Sequence, residues 1–230
     1  MRFRVAVGMV RDQEETLRRT ATAEIGALPV AEQAGEFLAD ALRNAPVRPS
    51  PEGEKRMPAE FRQQALWMMG VQSFRALRAA LGIIASGYDD QAVGHVRLIS
   101  ELHGRARKVF EDESGEYARQ WIAGRAGGSG AKVVGQDLWE VLSGPPHPSA
   151  RATFDWTALS PENGPTLVVL GPERRPDLSN GTLAFIAGEI RDIGYVLATA
   201  SGLSGVLPEF LDAVVLAAHE RYLRDDPGGD

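Results

Sequence analysis

The sequence predicts a mainly α-helical fold, an up-and-down helical bundle with a small β-hairpin insert near residues 152–171. Three observations carry this prediction. Apolar residues recur at spacings of three and four over several long stretches. The connections between some of those stretches are short, which favours antiparallel neighbours. ATFDWTAL and TLVVLG, on either side of SPENGP, read as a small β-hairpin.

The elements follow in order. Phe3, Val5, Val7 and Met9 alternate with other residues, which predicts a strand or an extended arm over the first ten positions. A charged helical stretch comes next, and Pro29–Asn44 reads as a second helix with Phe37, Leu38, Ala41 and Leu42 on one face. APVRPSPEGEKRMP (45–58) is rich in proline and charge and reads as a linker, dividing an N-terminal arm (1–58) from a main domain (59–224). The main domain opens with a helix over 59–86, in which Leu66, Phe74, Leu77, Leu81 and Ile84 share a narrow arc. Ser86-Gly87 ends it, and Asp89 or Asp90 is placed to cap the next helix. That helix, 90–112, sets Ala92, Val96, Leu98, Ile99, Leu102, Ala106 and Phe110 against a charged half with Asp90, Arg97, Glu101, Arg105 and Lys108. Short helices are expected at 116–123 and 136–142. Two helices close the chain, with stripes Leu183-Ile186-Ile190-Ile193-Leu197 and Leu207-Leu211-Val214-Ala218-Tyr222. Residues 225–230 read as a disordered tail.

Composition narrows the function classes. The 230 residues hold no cysteine, which excludes disulfides, thiolate metal sites and cysteine nucleophiles. A net charge of −6 argues against a broadly basic nucleic-acid binder. No apolar run is long and uninterrupted enough for a signal peptide or a membrane span, so a cytoplasmic protein is expected, with no membrane or DNA partner. His95, His103, His147 and His219 form no metal-ligand pattern, and the glycine loop from Gly124 to Gly135 lacks the features of a phosphate loop. No metal and no cofactor are expected.

Arg97 and Glu101, four residues apart, are helix neighbours suited to a salt bridge. Gly94, Ser100 and Gly104 surround Arg97 on the helical wheel, and a face stripped of bulk beside charges fits a second segment packing there. LSGPPHPSAR (142–151) is the expected partner, since its prolines fix the backbone that presents Ser143 and His147. These residues form the expected binding or structural network: Arg97, Glu101, Ser143 and His147.

RLISE on one helix, then YARQW, then LSGPPHPS, then a hairpin ending in LGP before two long helices, together resemble a group of uncharacterised bacterial helical proteins related to the HEPN superfamily. The resemblance covers residues 63–200. It implies a helical-bundle domain whose signature Arg, Glu and His correspond to Arg97, Glu101 and His147. The wider superfamily includes metal-independent ribonucleases marked by an Arg and a His a few residues apart, a spacing that R-LISEL-H (Arg97–His103) meets. That resemblance implies Arg97, Glu101 and His103 as catalytic residues, His103 exchanging protons and Arg97 neutralising phosphate. The expected function is therefore a helical binding or assembly module, possible as a homodimer. The alternative is a metal-independent ribonuclease, a toxin or phage-defence effector with RNA as its partner.

Overall fold

A computed structural model describes residues 2–45, 57–126, 158–159, 167–168, 172, 174–203 and 209–223. These residues are almost all helical: α1 (Arg2–Glu24), α2 (Leu28–Asn44), α3 (Pro58–Ala85), α4 (Asp89–Glu111), α5 (Glu116–Ile122), α6 (Pro176–Ala200) and α7 (Glu209–Tyr222). Ala158–Leu159 (β1) pairs antiparallel with Leu167–Val168 (β2). The rest of the expected hairpin lies outside the described residues, as do the expected helix at 136–142, the linker residues 46–56, Ser143, His147 and the tail.

Local chemistry fixes the helix ends. Pro29, Pro58 and Pro176 start α2, α3 and α6, where a missing N–H costs no hydrogen bond. The Glu60 carboxylate accepts from the Met57 N–H at 2.8 Å, satisfying a donor just ahead of α3. Asp112 serves α5 in the same way, accepting from the N–H groups of Ser114 and Tyr117 at 3.1 and 2.7 Å. The Ser114 side chain and these amides hold the Asp112 carboxyl below the usual aspartate range.

The expected strand or extended arm at the start of the chain is a correction. Residues 2–10 belong to helix α1. Alternation in a short run of valines fits a strand only where another strand pairs with it. The same run also fits a helix, because Phe3, Val7 and Val10 continue the spacing of Glu14, Leu17 and Ala21.

Helix α6 lies at the centre, packing against α2, α3, α4 and α7. Leu183, Ile186, Ile190, Ile193 and Leu197, the stripe expected from sequence, are all buried. In the last helix Leu211 and Ala218 face the core as expected and Val215 joins them, whereas Val214 and Tyr222 are only half-buried. Leu98 of α4, assigned to the apolar half from sequence, is exposed.

Contacts at the helix ends give the directions. The Arg62 guanidinium near the start of α3 donates to the carbonyls of Val109 and Phe110 near the end of α4, so the two run antiparallel. The Trp67 indole donates to the Leu42 carbonyl, setting α2 antiparallel to α3. Asp89 meets Ser179 and His103 meets Glu189, so α4 and α6 run parallel. The up-and-down alternation therefore holds through α2, α3 and α4 and breaks at the step to α6. The long stretch between Asp112 and Arg175 permits that crossover, as in bundles with long connections.

The helices on either side of the expected linker at 45–58 pack together. Phe37 and Leu38 of α2 belong to the same hydrophobic core as Leu66, Leu77, Ile99 and Ile190. The proline-rich segment thus connects two parts of one core, and among the described side chains of α1 only Ala21 belongs to that cluster.

Glycines mark where helices approach. A Cβ at Gly194 of α6 would stand 2.6 Å from the Phe37 ring, which itself packs tilted against Tyr195. Gly82 of α3 has nothing within 4 Å. Gly82→Ala is therefore expected to stabilise the protein, by up to about 1 kcal/mol through helix propensity alone. Equilibrium urea unfolding checks this, and a lower midpoint would show that Gly82 serves a contact.

Candidate functional site

Helix α4 presents two separate groups of the residues singled out from sequence. On one side, Arg97 Nε donates to Glu101 Oε1 at 3.2 Å. Their side chains are 27% and 23% exposed, so the pair is half-buried, between a surface bridge and a core ion pair. A Cβ at Gly94 would meet nothing within 4 Å, whereas Ser100, which also flanks Arg97 on the helical wheel, is buried. Ser143 and His147, the expected covering residues, lie outside those described.

Next to the pair is a shallow recess of about 250 Å³ between α3, α4 and α5, lined by Gln72, Leu98, Glu101, Arg105, Trp121 and Gly124. The Arg105 guanidinium is steadied by the Tyr117 hydroxyl at 3.4 Å. The recess combines a carboxylate, a cation, an amide and an indole face within one small area.

His103 points elsewhere. Positions six apart on a helix project about 120° from each other, and His103 faces α6 while Arg97 faces the recess side. Its Nδ1 lies 3.0 Å from Glu189 Oε2 and its Nε2 3.7 Å from Asp192 Oδ2, with the imidazole 13% exposed. The chain of polar contacts continues. Arg191 donates to Asp192 at 2.9 Å and approaches Asp212 of α7 at 3.5 Å. Burial, reinforced by a hydrogen bond to Asp212, pushes the Tyr195 hydroxyl up to about 12. This network ties α4, α6 and α7 together. Sequence reasoning found His103 and missed all its partners, because Glu189 and Asp192 are distant in the chain and have no local signature.

Of the other two described histidines, His219 has a packing role. His219 Nε2 lies 2.8 Å from the Ala184 carbonyl, with its ring against Gly188. His95 is half-buried on α4.

A third polar cluster had no signal in the sequence. Asp89, expected as a cap of its own helix, instead serves α6: the Ser179 hydroxyl donates to Asp89 Oδ1 at 2.6 Å, and the Arg175 N–H also contributes. The α4 N-cap position is Tyr88, which makes no side-chain cap. The reason is tertiary: the parallel arrangement of α4 and α6 brings Asp89 to the α6 N-terminus, whose free amides and positive dipole end favour a carboxylate. Asp89 Oδ2 is buried with no hydrogen-bond partner among the described residues. Burial pushes the Asp89 carboxyl above its ordinary value, outweighing Ser179 and the nearby Arg174 and Arg175.

Because the folded-state value is raised, the unfolded chain ionises first as pH rises. Stability from this group is greatest in acid and falls as pH climbs from 3.8 through the raised value. Asp89→Asn is expected to flatten that limb of the stability-against-pH curve, read from urea midpoints. An unchanged limb would assign it to another group.

Beside Asp89, the buried Arg174 guanidinium fastens α1. Its Nη2 donates to the carbonyls of Leu17 and Ala85, and Nη1 lies 3.0 Å from Glu24 Oε2. Arg18 donates to Ser86 and Tyr88 to Glu14, both at 2.8 Å, at the same junction.

Among the described residues no His, Asp and Glu side chains group to hold a metal ion, and no helix is long and apolar enough to cross a membrane. Compared with known proteins, the chain matches no family model, no curated protein and no solved structure.

Proposed function

We propose that the chain is a binding or assembly module in which the Arg97–Glu101 pair and the His103–Glu189–Asp192 contacts are structural. The engagement of His103 carries this reading: both ring nitrogens face carboxylates of α6 and little of the ring meets solvent. A histidine held this way fastens two helices. In the ribonuclease implied by the HEPN resemblance, Arg97 and His103 must meet on one phosphate, yet each is paired on its own side of α4.

Incubation of the purified protein with total cellular RNA in EDTA, beside Arg97→Ala and His103→Ala, tests the reading. No cleavage is expected. His103→Ala should lower stability by about 2 kcal/mol, because Glu189 is left desolvated without its partner. Cleavage by the wild type that both variants abolish at unchanged melting temperature would overturn the structural role.

That outcome would install the second reading, a metal-independent ribonuclease. The recess favours it, since Arg105 and Trp121 beside Glu101 supply the cation and aromatic face on which single-stranded RNA binds.

A further inference from the structure

Helix α7 packs on α6 and α2 and buries Leu211, Val215 and Ala218. Its opposite side is open. There Phe210 is 69% and Leu216 58% exposed, beside the exposed Ala213 and Ala217. Large apolar side chains grouped on a surface mark an interaction site.

The charges on this side decide what fits it. Asp212 is turned toward Arg191 of α6, and Glu220 is already engaged. The exposed Glu209 and Arg221 make no ion pair among the described residues, and the Arg221 guanidinium lies 5.3 Å from the centre of the neighbouring Tyr222 ring. Glu209, Ala213, Ala217 and Arg221 follow one another at spacings of four, so they form one ridge along the helix. The ridge has an acid at one end, a base at the other and two methyl groups between.

Reversed, this ridge is its own complement. A parallel copy would set Glu209 against Glu209 and Arg221 against Arg221, whereas an antiparallel copy sets each acid against a base. With the two helices centred at residue 215, midway between Glu209 and Arg221, Ala213 faces Ala217. Those small side chains let the helices approach until Phe210 and Leu216, on the two flanks, are covered. The patch is small: 14 residues of helix extend about 21 Å. That places the contact at the low end of interface sizes, where association is weak and depends on concentration.

We propose that two copies of the chain pair through α7, antiparallel about a two-fold axis, with Glu209 of each copy on Arg221 of the other. The inference rests on the assembly reading and assigns that reading its surface.

Sedimentation equilibrium of the full chain up to millimolar concentration, at low and high salt, tests it. The wild type is expected to dimerise, more weakly at high salt. Glu209→Arg alone and Arg221→Glu alone each bring like charges together at both symmetric contacts, and each should lose roughly tenfold in dimer affinity. One chain carrying both substitutions should recover the wild-type affinity, as should a mixture of the two single variants. Phe210→Ser should weaken the dimer whatever the charges. Circular dichroism and melting temperature confirm that every variant is folded. A dimer indifferent to the two single reversals, or reversals that the double variant does not rescue, overturns the α7 pairing and puts assembly on another surface. A monomer at every concentration overturns self-assembly, while the RNA experiment remains the separate test of the binding or assembly reading.

Discussion

Arg174→Ala is expected to destabilise the protein by about 3–5 kcal/mol, the range for removing one partner from a buried charged network. The Arg174 side chain is 5% exposed and its Nη2 joins the Leu17 carbonyl of α1 to the Ala85 carbonyl at the end of α3. Alanine leaves both carbonyls without this donor and removes one of the two cations near the buried Asp89 carboxyl. The loss should be directional, releasing α1 before the bundle unfolds, since Arg174 also pairs with Glu24. Urea unfolding gives the magnitude, and limited proteolysis should show earlier cleavage within α1. A variant as stable as the wild type, with α1 equally protected, would show that desolvation of the guanidinium cancels its contacts.

Gly115→Ala is expected to cost about 3 kcal/mol, through two additive causes. Gly115 has φ of 68°, where an L side chain is strained by about 1–2 kcal/mol. A Cβ there would also stand 2.7 Å from the Pro58 carbonyl oxygen and 2.9 Å from Pro58 Cα. Those are backbone atoms, so no rotamer change relieves the contact, and α5 or the start of α3 must shift. Gly124 separates the causes, because it has φ of 69° and nothing within 4 Å. Gly124→Ala should therefore lose only the backbone part. Equal losses at the two positions in thermal unfolding would rule out the Pro58 contact as a cause.

Much of the fold was legible because its punctuation is local. Pro29, Pro58 and the Ser86-Gly87 pair mark helix ends within a residue or two of where they fall. The Leu183–Leu197 stripe is periodic enough to identify a buried face without knowing its neighbours. Legibility failed where two periods fit one run, as at Phe3 to Met9, and where a helix is amphipathic only weakly, as in α7. It failed also at the parallel pairing of α4 and α6, which no local pattern encodes.

The same division holds at the candidate site. Arg97–Glu101 is an i, i+4 pair and was visible as such. His103 with Glu189, and Asp89 with Ser179, depend on the α4–α6 pairing and appear only once those helices are side by side. Asp89 illustrates the ambiguity well: an aspartate at a helix start reads as a cap for that helix, yet its carboxylate caps another.

The central position of α6 has a consequence for synthesis. Helices α2, α3 and α4 leave the ribosome well before the segment Pro176–Ala200 against which they pack. Until that segment emerges, Leu38, Leu77 and Ile99 lack the apolar wall formed by Ile186, Ile190 and Ile193. The nascent chain therefore spends its longest growth phase as an unfinished bundle with an open seam, and α6 seals it late.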